Sequence, residues 1–281
     1  MTTYYDRFTA AVAPYSNFCF GIDPAAHTLA AWGLPVTVEG LRQFCAIALE
    51  AAIGSVGIIK PQVAFFEGFG PEGMAELQSL CRAAKEAGIF VIADAKRGDI
   101  GSSIDAYGQA WLGSASPFDV DAVTAHAYLG IDAMMPLLQR AKDTETGVFV
   151  VVRSSNPEGA ELQNARIGDL AVADHLAQAI ARFNRAGGTE GTVGPVGAVI
   201  GATLGGSTQE TIRFMPNALF LVPGVGAQGA TVEDTRALFG DAIERAIISA
   251  SRGVLSHGPN VSDLKTAIAK LVDETKRLTQ Q

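Results

Sequence analysis

The segment "FVIADAKRGDIG", residues 90–101, runs through four apolar residues and then sets down Asp94, Lys96, Arg97 and Asp99 within six positions. Charges packed this tightly at the edge of a core must be paired, solvated or functional. If the segment is a strand, Asp94 and Lys96 point to one side while Ala95 and Arg97 point to the other. Two other apolar runs also end in charge: Lys60 closes "GIIKPQ" and Asp23 closes "FGIDP". An amine flanked by carboxylates stays an ammonium, because opposite charges favour the charged form. Imine chemistry needs the reverse, a lysine with its pKa lowered until it is a free nucleophile. The group therefore suits a proton donor or a stabiliser of developing negative charge. A carboxylate beside the pocket would also repel an anionic substrate group, and that repulsion would fall as the charge left. Two interposed cations make Asp94 and Asp99 a poor divalent-metal pair. The plainer alternative is an ion-pair cluster capping the core, with Asp99 or Ser102 capping the next helix in the box-like "SSID".

The surrounding elements must bring these charges together. Short runs rich in Val, Ile and Phe recur along the chain: "FCFGID", "VGIIKP", "FVIADAK", "DAVTAHA", "GVFVVVR", "VGAVIGAT", "ALFLVPG" and "RAIISAS". Their length and continuous apolarity are those of buried parallel strands. Between them lie helical stretches such as 71–88, where Met74, Leu77, Leu80, Cys81 and Ala84 share a face and Gly88 ends the helix. Strand ends fall near 23, 60, 96, 126, 153, 203, 223 and 251, and most steps approach the roughly 30 residues of a βαβ unit.

Eight such units predict a single-domain (β/α)8 TIM barrel over residues 1–281. A doubly wound open sheet is the competitor, but no GxGxxG follows the first strand. The 50-residue step holds "SSNPEGAELQNARIGDL" and "RAGGTEGTVGPVG". It reads as an enlarged loop and helix, about 154–195, without strands of its own. Residues closing each strand then face the C-terminal mouth, where barrel enzymes build their sites. Loops after the seventh and eighth strands are the recurrent phosphate site of this fold. Here they carry "LVPGVGAQGA", with three glycines and Gln228, and "SASRGV", with Arg252 and Gly253. Glycine lets backbone N–H groups approach a phosphate, and a guanidinium can clamp it bidentately.

The bulk composition narrows the partners. With 281 residues, 48% hydrophobic and 18% charged, the chain can bury a large core. A net charge of −8 and a pI near 5.0 argue against nucleic acid or an anionic membrane surface as the partner. Cys19, Cys45 and Cys81 form no CxxC pair, so neither a disulfide framework nor a zinc site is indicated. The N-terminal "MTTYYDRFTAAVAPYS" lacks a signal-peptide pattern and no segment has the length to span a bilayer, so the expectation is a cytoplasmic protein.

The ordered set "GIDP", "IIKPQ", "DAKRGDIG", "RSSNPEG", "VPGVGAQG" and "ASRG" resembles the orotidine 5'-phosphate decarboxylase family along nearly the whole chain. The Asp-x-Lys-x-x-Asp motif alone is shared with metal-using sugar-phosphate decarboxylase and synthase relatives. Those tend to place an acid on the second strand, where this chain has Lys60.

The resemblance implies loss of CO2 from orotidine 5'-monophosphate to give UMP, with no cofactor and no metal. It implies that Lys96 protonates C6 of the pyrimidine while Asp94 sits against the departing carboxylate, and that Lys60 and Asp99 complete an alternating charge network. It further implies a homodimer in which Asp99 reaches into the partner's site, accompanied by Ser103 towards the ribose. Asp23 and Lys60 would hold ribose hydroxyls and Ser155 the pyrimidine edge. Pro223 and Gln228 would belong to a closing loop, and Arg252 with Gly253 would hold the phosphate. Two alternatives remain at this point: a metal-dependent sugar-phosphate decarboxylase or aldolase, and a non-catalytic nucleotide-phosphate-binding barrel.

Other residues carry less. His126, closing the fourth strand, reads as a hydrogen-bonding neighbour of the site rather than its acid. Arg97 should face a helix or a partner subunit. Phe65, Phe66 and Phe69 read as core or interface packing, and Tyr107 with Trp111, four apart, as one helix face.

Overall fold

A computed structural model of the chain describes residues 2–187, 192–205, 207–225 and 229–279. Eight parallel strands close into a barrel in sequential order, with the first strand pairing with the last. They are β1 (Phe18–Ile22), β2 (Ile58–Pro61), β3 (Phe90–Arg97), β4 (Ala122–His126), β5 (Gly147–Arg153), β6 (Val196–Ile200), β7 (Phe220–Pro223) and β8 (Ala246–Ala250). The predicted single TIM barrel is the observed one. The largest difference in strand ends is in β6, which stops at Ile200 rather than near 203.

Period-two alternation sorts each strand into two faces. Phe20, Ile59, Val91, Val123, Val150 and Ile248 face outward into the layer beneath the helices. Cys19, Ile58, Ile92, Ala122, Phe149 and Ile247 face inward and meet one another on the axis. Each β-strand is followed by at least one helix; Gly70–Glu86 after β2 buries Leu77, Leu80, Cys81 and Ala84. Its last carbonyls are closed by Ala87 and by Gly88, whose φ is +77°. The cysteines are free and buried, packed as small apolar groups.

The helix Tyr4–Val12 closes the N-terminal end of the barrel. Thr3 and Asp6 cap it reciprocally, and its Tyr4 and Phe8 join the inward-facing cluster. Both rings meet Phe90, with centroids 5.7 and 5.9 Å apart. Arg7 on the same helix pairs with Asp121, just ahead of β4, at 3.3 Å.

Two local expectations are corrected. The helix after β3 is Gly101–Trp111, capped at Ile100 with no side-chain cap, so neither Asp99 nor Ser102 closes a capping box. Instead Asp99 Oδ1 accepts the Ile100 N–H at 2.8 Å, one residue before the helix. The long connection after β5 does contain strands. Between the helices Gly159–Gln163 and Val172–Gly187, a small antiparallel hairpin pairs Arg166–Ile167 with Leu170–Ala171. Two-residue strands leave no periodicity to read, and only tertiary support holds them. No helix among the described residues is long and apolar enough to cross a membrane.

Candidate active site

The inward column that is apolar at the barrel floor becomes charged at the mouth. On β3 it runs Phe90, Ile92, Asp94; on β2, Ile58 and then Lys60; on β4, Ala122, Thr124, His126. β1 continues past its end to Asp23. Strand alternation therefore delivers one polar side chain after another to the same opening.

Asp94 is the hub. Its Oδ2 accepts from Lys60 Nζ at 3.1 Å, and its Oδ1 accepts from Lys96 Nζ at 2.6 Å and from Thr124 Oγ1 at 2.8 Å. Burial works against the charge on Asp94, but the two ammonium groups outweigh it and hold the carboxyl well below its usual range. Lys60 is buried too, and burial alone would favour its neutral form; Asp94 and then Asp23 reverse this and raise its pKa. Lys96 has a half-exposed side chain, so the network has a closed side towards Lys60 and an open side towards the mouth. Cys19 lies beneath, and burial pushes its thiol up to about 12, so it is not a nucleophile at neutral pH.

Lys96 and Asp94 do meet, though not through simple alternation. The β3–β4 register slips between Ala93 and Arg97, and Lys96 takes a left-handed φ of +46°. Arg97 is directed the other way. It pairs with Glu67 and lies over the Tyr107 and Trp111 rings, 5.5 and 5.9 Å from their centroids. The expected helix face is thus the bed on which Arg97 rests. Gly98 completes the turn because a Cβ there would stand 2.5 Å from the His126 ring. His126 packs against this turn and lines a cavity of about 500 Å³ with Tyr128, Leu129, Val151, Ile167 and His175.

The remaining expected residues distribute as follows. Asp23 Oδ1 is buried and, among the described residues, finds no hydrogen-bond partner. Ser155 follows β5 and is pressed against Gly201 after β6, where a Cβ would come within 2.8 Å of the serine backbone nitrogen. Pro223 ends β7 beside Ser249 of β8. Arg252 and Gly253 are exposed and open the short helix Arg252–Leu255 just past β8. Ser103 is exposed on the first turn of the helix after β3. Asp99 forms no ion pair with Lys60 or Lys96 among the described residues of one chain. Gln228 lies outside the described residues.

Phe66 is buried, Phe65 is partly exposed and Phe69 packs against the core, so none of the three enters the charge network. Two residues were missed from the sequence. Thr124 was legible only as a lone hydroxyl in an apolar run. Arg153 is buried at the end of β5, where it donates to Thr211 Oγ1 at 2.9 Å and to Asn164 Oδ1 at 2.8 Å, tying the long insertion to the barrel.

A closed parallel barrel with a lysine–aspartate–lysine chain across its C-terminal mouth has the architecture of a (β/α)8-barrel enzyme, whose sites are built at that end. The comparisons are specific. Residues 16–267 match the model of the orotidine 5'-phosphate decarboxylase / HUMPS family, and the chain belongs to that family. The orotidine 5'-phosphate decarboxylase of Myxococcus xanthus is 44% identical over 94% of this chain and 92% of its own. That of Salinispora arenicola is 42% identical over 98% of each. A crystal structure from Streptomyces avermitilis, provisionally assigned the same activity, superposes with a TM-score of 0.93 at 39% identity, covering 100% of this chain and 97% of that one.

Proposed function

We propose that the chain converts orotidine 5'-monophosphate to UMP and CO2, the closing step of pyrimidine nucleotide synthesis. The observation that carries this reading is the Asp94 carboxylate held between Lys60 and Lys96 at the mouth of the barrel. An anionic carboxylate on the substrate, placed against Asp94, meets a like charge whose own ionisation is fixed by two cations. The C6–carboxylate bond breaks, its electron pair stays on C6, and CO2 departs. The Lys96 ammonium gives its proton to C6, and the resulting amine recovers a proton from water. A donor already in place needs no reorganisation as the negative charge appears. No cofactor or metal takes part in this scheme.

Binding at a distance from C6 supplies the force that seats the carboxylate against Asp94. Asp23 and Lys60 receive ribose hydroxyls, Ser155 the pyrimidine edge, and Arg252 with Gly253 the phosphate. Pro223 and Gln228 belong to the loop that closes over the ligand. The active unit is a homodimer, in which Asp99 and Ser103 of each chain complete the partner's site. The working compartment is the cytosol.

The test is to follow the ultraviolet spectrum of orotidylate with purified, metal-stripped protein. The expected result is complete conversion to UMP at a rate unchanged by EDTA. Loss of turnover in chelator would favour a metal-dependent lyase, and tight UMP binding without conversion would favour a non-catalytic binder.

A further inference from the structure

β4 offers one hydroxyl to the barrel interior at the level of the charges. Thr124 is fully buried, and its Oγ1 makes two hydrogen bonds at once. It donates to Asp94 Oδ1 at 2.8 Å and accepts the backbone N–H of Lys96 at 2.9 Å. The second bond falls where the β3–β4 ladder is irregular. Ala93 stands opposite Val123 and Arg97 opposite Ala125, so four steps of β3 are matched by two of β4. Lys96 lies inside that slip with φ +46°, a conformation that residues bearing a Cβ adopt only when the surroundings fix it. The slip takes the Lys96 N–H off the regular ladder, and Thr124 Oγ1 receives it.

We propose that Thr124 is a positioning residue for the decarboxylation. Through one oxygen it ties the backbone of the proton donor to the carboxylate that faces the departing group. The proposal rests on the functional reading above. Its physical content is a fixed distance between Lys96 and Asp94. Without the hydroxyl, both side chains keep their charges and Asp94 keeps both lysines. What is lost is the bond that holds Lys96 in its left-handed turn, so the ammonium samples orientations that miss C6. Of the groups assigned to ribose and phosphate, Asp23 and Arg252 lie just past the ends of β1 and β8, away from β4 in the barrel order, and Lys60 keeps its own bond to the other carboxylate oxygen, Asp94 Oδ2, so substrate capture is spared. The penalty therefore falls on kcat.

Thr124→Val keeps the side-chain shape and deletes the hydroxyl, while Thr124→Ser keeps the hydroxyl and deletes the methyl. Steady-state turnover of orotidylate, UMP affinity by calorimetry and thermal melting are measured for both variants and the wild type. The expected result for Thr124→Val is a kcat lower by about 10- to 100-fold, the span for losing one hydrogen bond to a charged group. KM and the UMP Kd should stay within about threefold, which marks a loss confined to the transition state. Thr124→Ser should recover kcat to within about threefold of wild type. If Thr124→Val does not fold, Thr124→Ala removes the same oxygen and carries the same expectation.

Wild-type kcat in the hydroxyl-free variant would overturn the proposal, as would equal impairment of the valine and serine variants, which would assign the effect to the methyl. A raised KM with kcat unchanged would also overturn it. A wild-type protein without turnover would sink the functional reading and this inference together. An active wild type with an unaffected Thr124→Val sinks the inference alone.

Discussion

Asp94 at the mouth of the barrel and Asp121 at its floor are almost equally hidden, 9% and 5% exposed, and each has cationic company. Asp121 receives the Val91 N–H at 3.0 Å and pairs with Arg7 at 3.3 Å, yet burial dominates and its pKa is raised. Asp94 pays the same desolvation, but Lys60 and Lys96 both touch it and its pKa is lowered. The difference lies in the number and nearness of the ammonium groups. At the floor the carboxylate serves a fastening between the helix Tyr4–Val12 and the barrel. At the mouth it serves a charge whose sign must persist while a substrate is bound. Floor and mouth should accordingly fail in different ways: the first as stability, the second as turnover.

The largest effect is expected at the mouth. Lys96→Ala should lose at least about 10⁴-fold in kcat, the upper range for a positioned proton donor, while still binding UMP. Retained turnover would remove Lys96 from the donor role. At the floor, Phe8→Ala should destabilise the chain by about 3–4 kcal/mol in urea unfolding, as for other buried phenylalanines. Turnover per folded molecule should stay at the wild-type level; a fall would show that the two ends are coupled.

Asp94→Asn should cost about 2–3 kcal/mol at pH 7, because Lys60 stays buried but loses its hydrogen-bonded counter-charge and keeps only the field of Asp23. Its pH dependence has a definite sign. A lowered pKa gives stability that is complete above the unfolded value near 3.9 and is lost as pH falls through the folded value. The gap between wild type and Asp94→Asn should therefore narrow on acidification below about pH 4.

Asp121→Asn is the smallest change, within about 1 kcal/mol at pH 7, since an amide oxygen can still accept the Val91 N–H. The sign is opposite here. A raised pKa gives a contribution that is complete below about 3.9 and is lost as pH rises through the folded value. Melting curves across this range should show Asp121→Asn gaining on the wild type as pH increases from about 4. Parallel profiles for the two asparagine variants would break the comparison.

The strands and their charged ends were legible because buried parallel strands write themselves as continuous apolar runs, and the mouth follows from where those runs stop. Asp23, Lys60, Asp94 and Lys96 could be grouped on that basis alone. Thr124 could not, because its importance depends on a register slip between two strands distant in sequence. The left-handed turn at Lys96 was hidden for the same reason, since local alternation gave the right neighbours by the wrong route. The floor was overlooked because nothing in "TTYYDRFTAAV" separates a plug helix from any other amphipathic start. The cap at Ile100 shows the converse failure, a motif present in letters but placed two residues too late to act.

The helix Tyr4–Val12 seals the end of the barrel opposite the reacting charges. Cargo or a surface tether attached ahead of Thr3 would thus hang from the far side of the molecule, leaving nucleotide traffic unobstructed. Such an attachment must keep the Thr3 hydroxyl and the Tyr4 and Phe8 rings in place, or it will trade immobilisation for a leaking base.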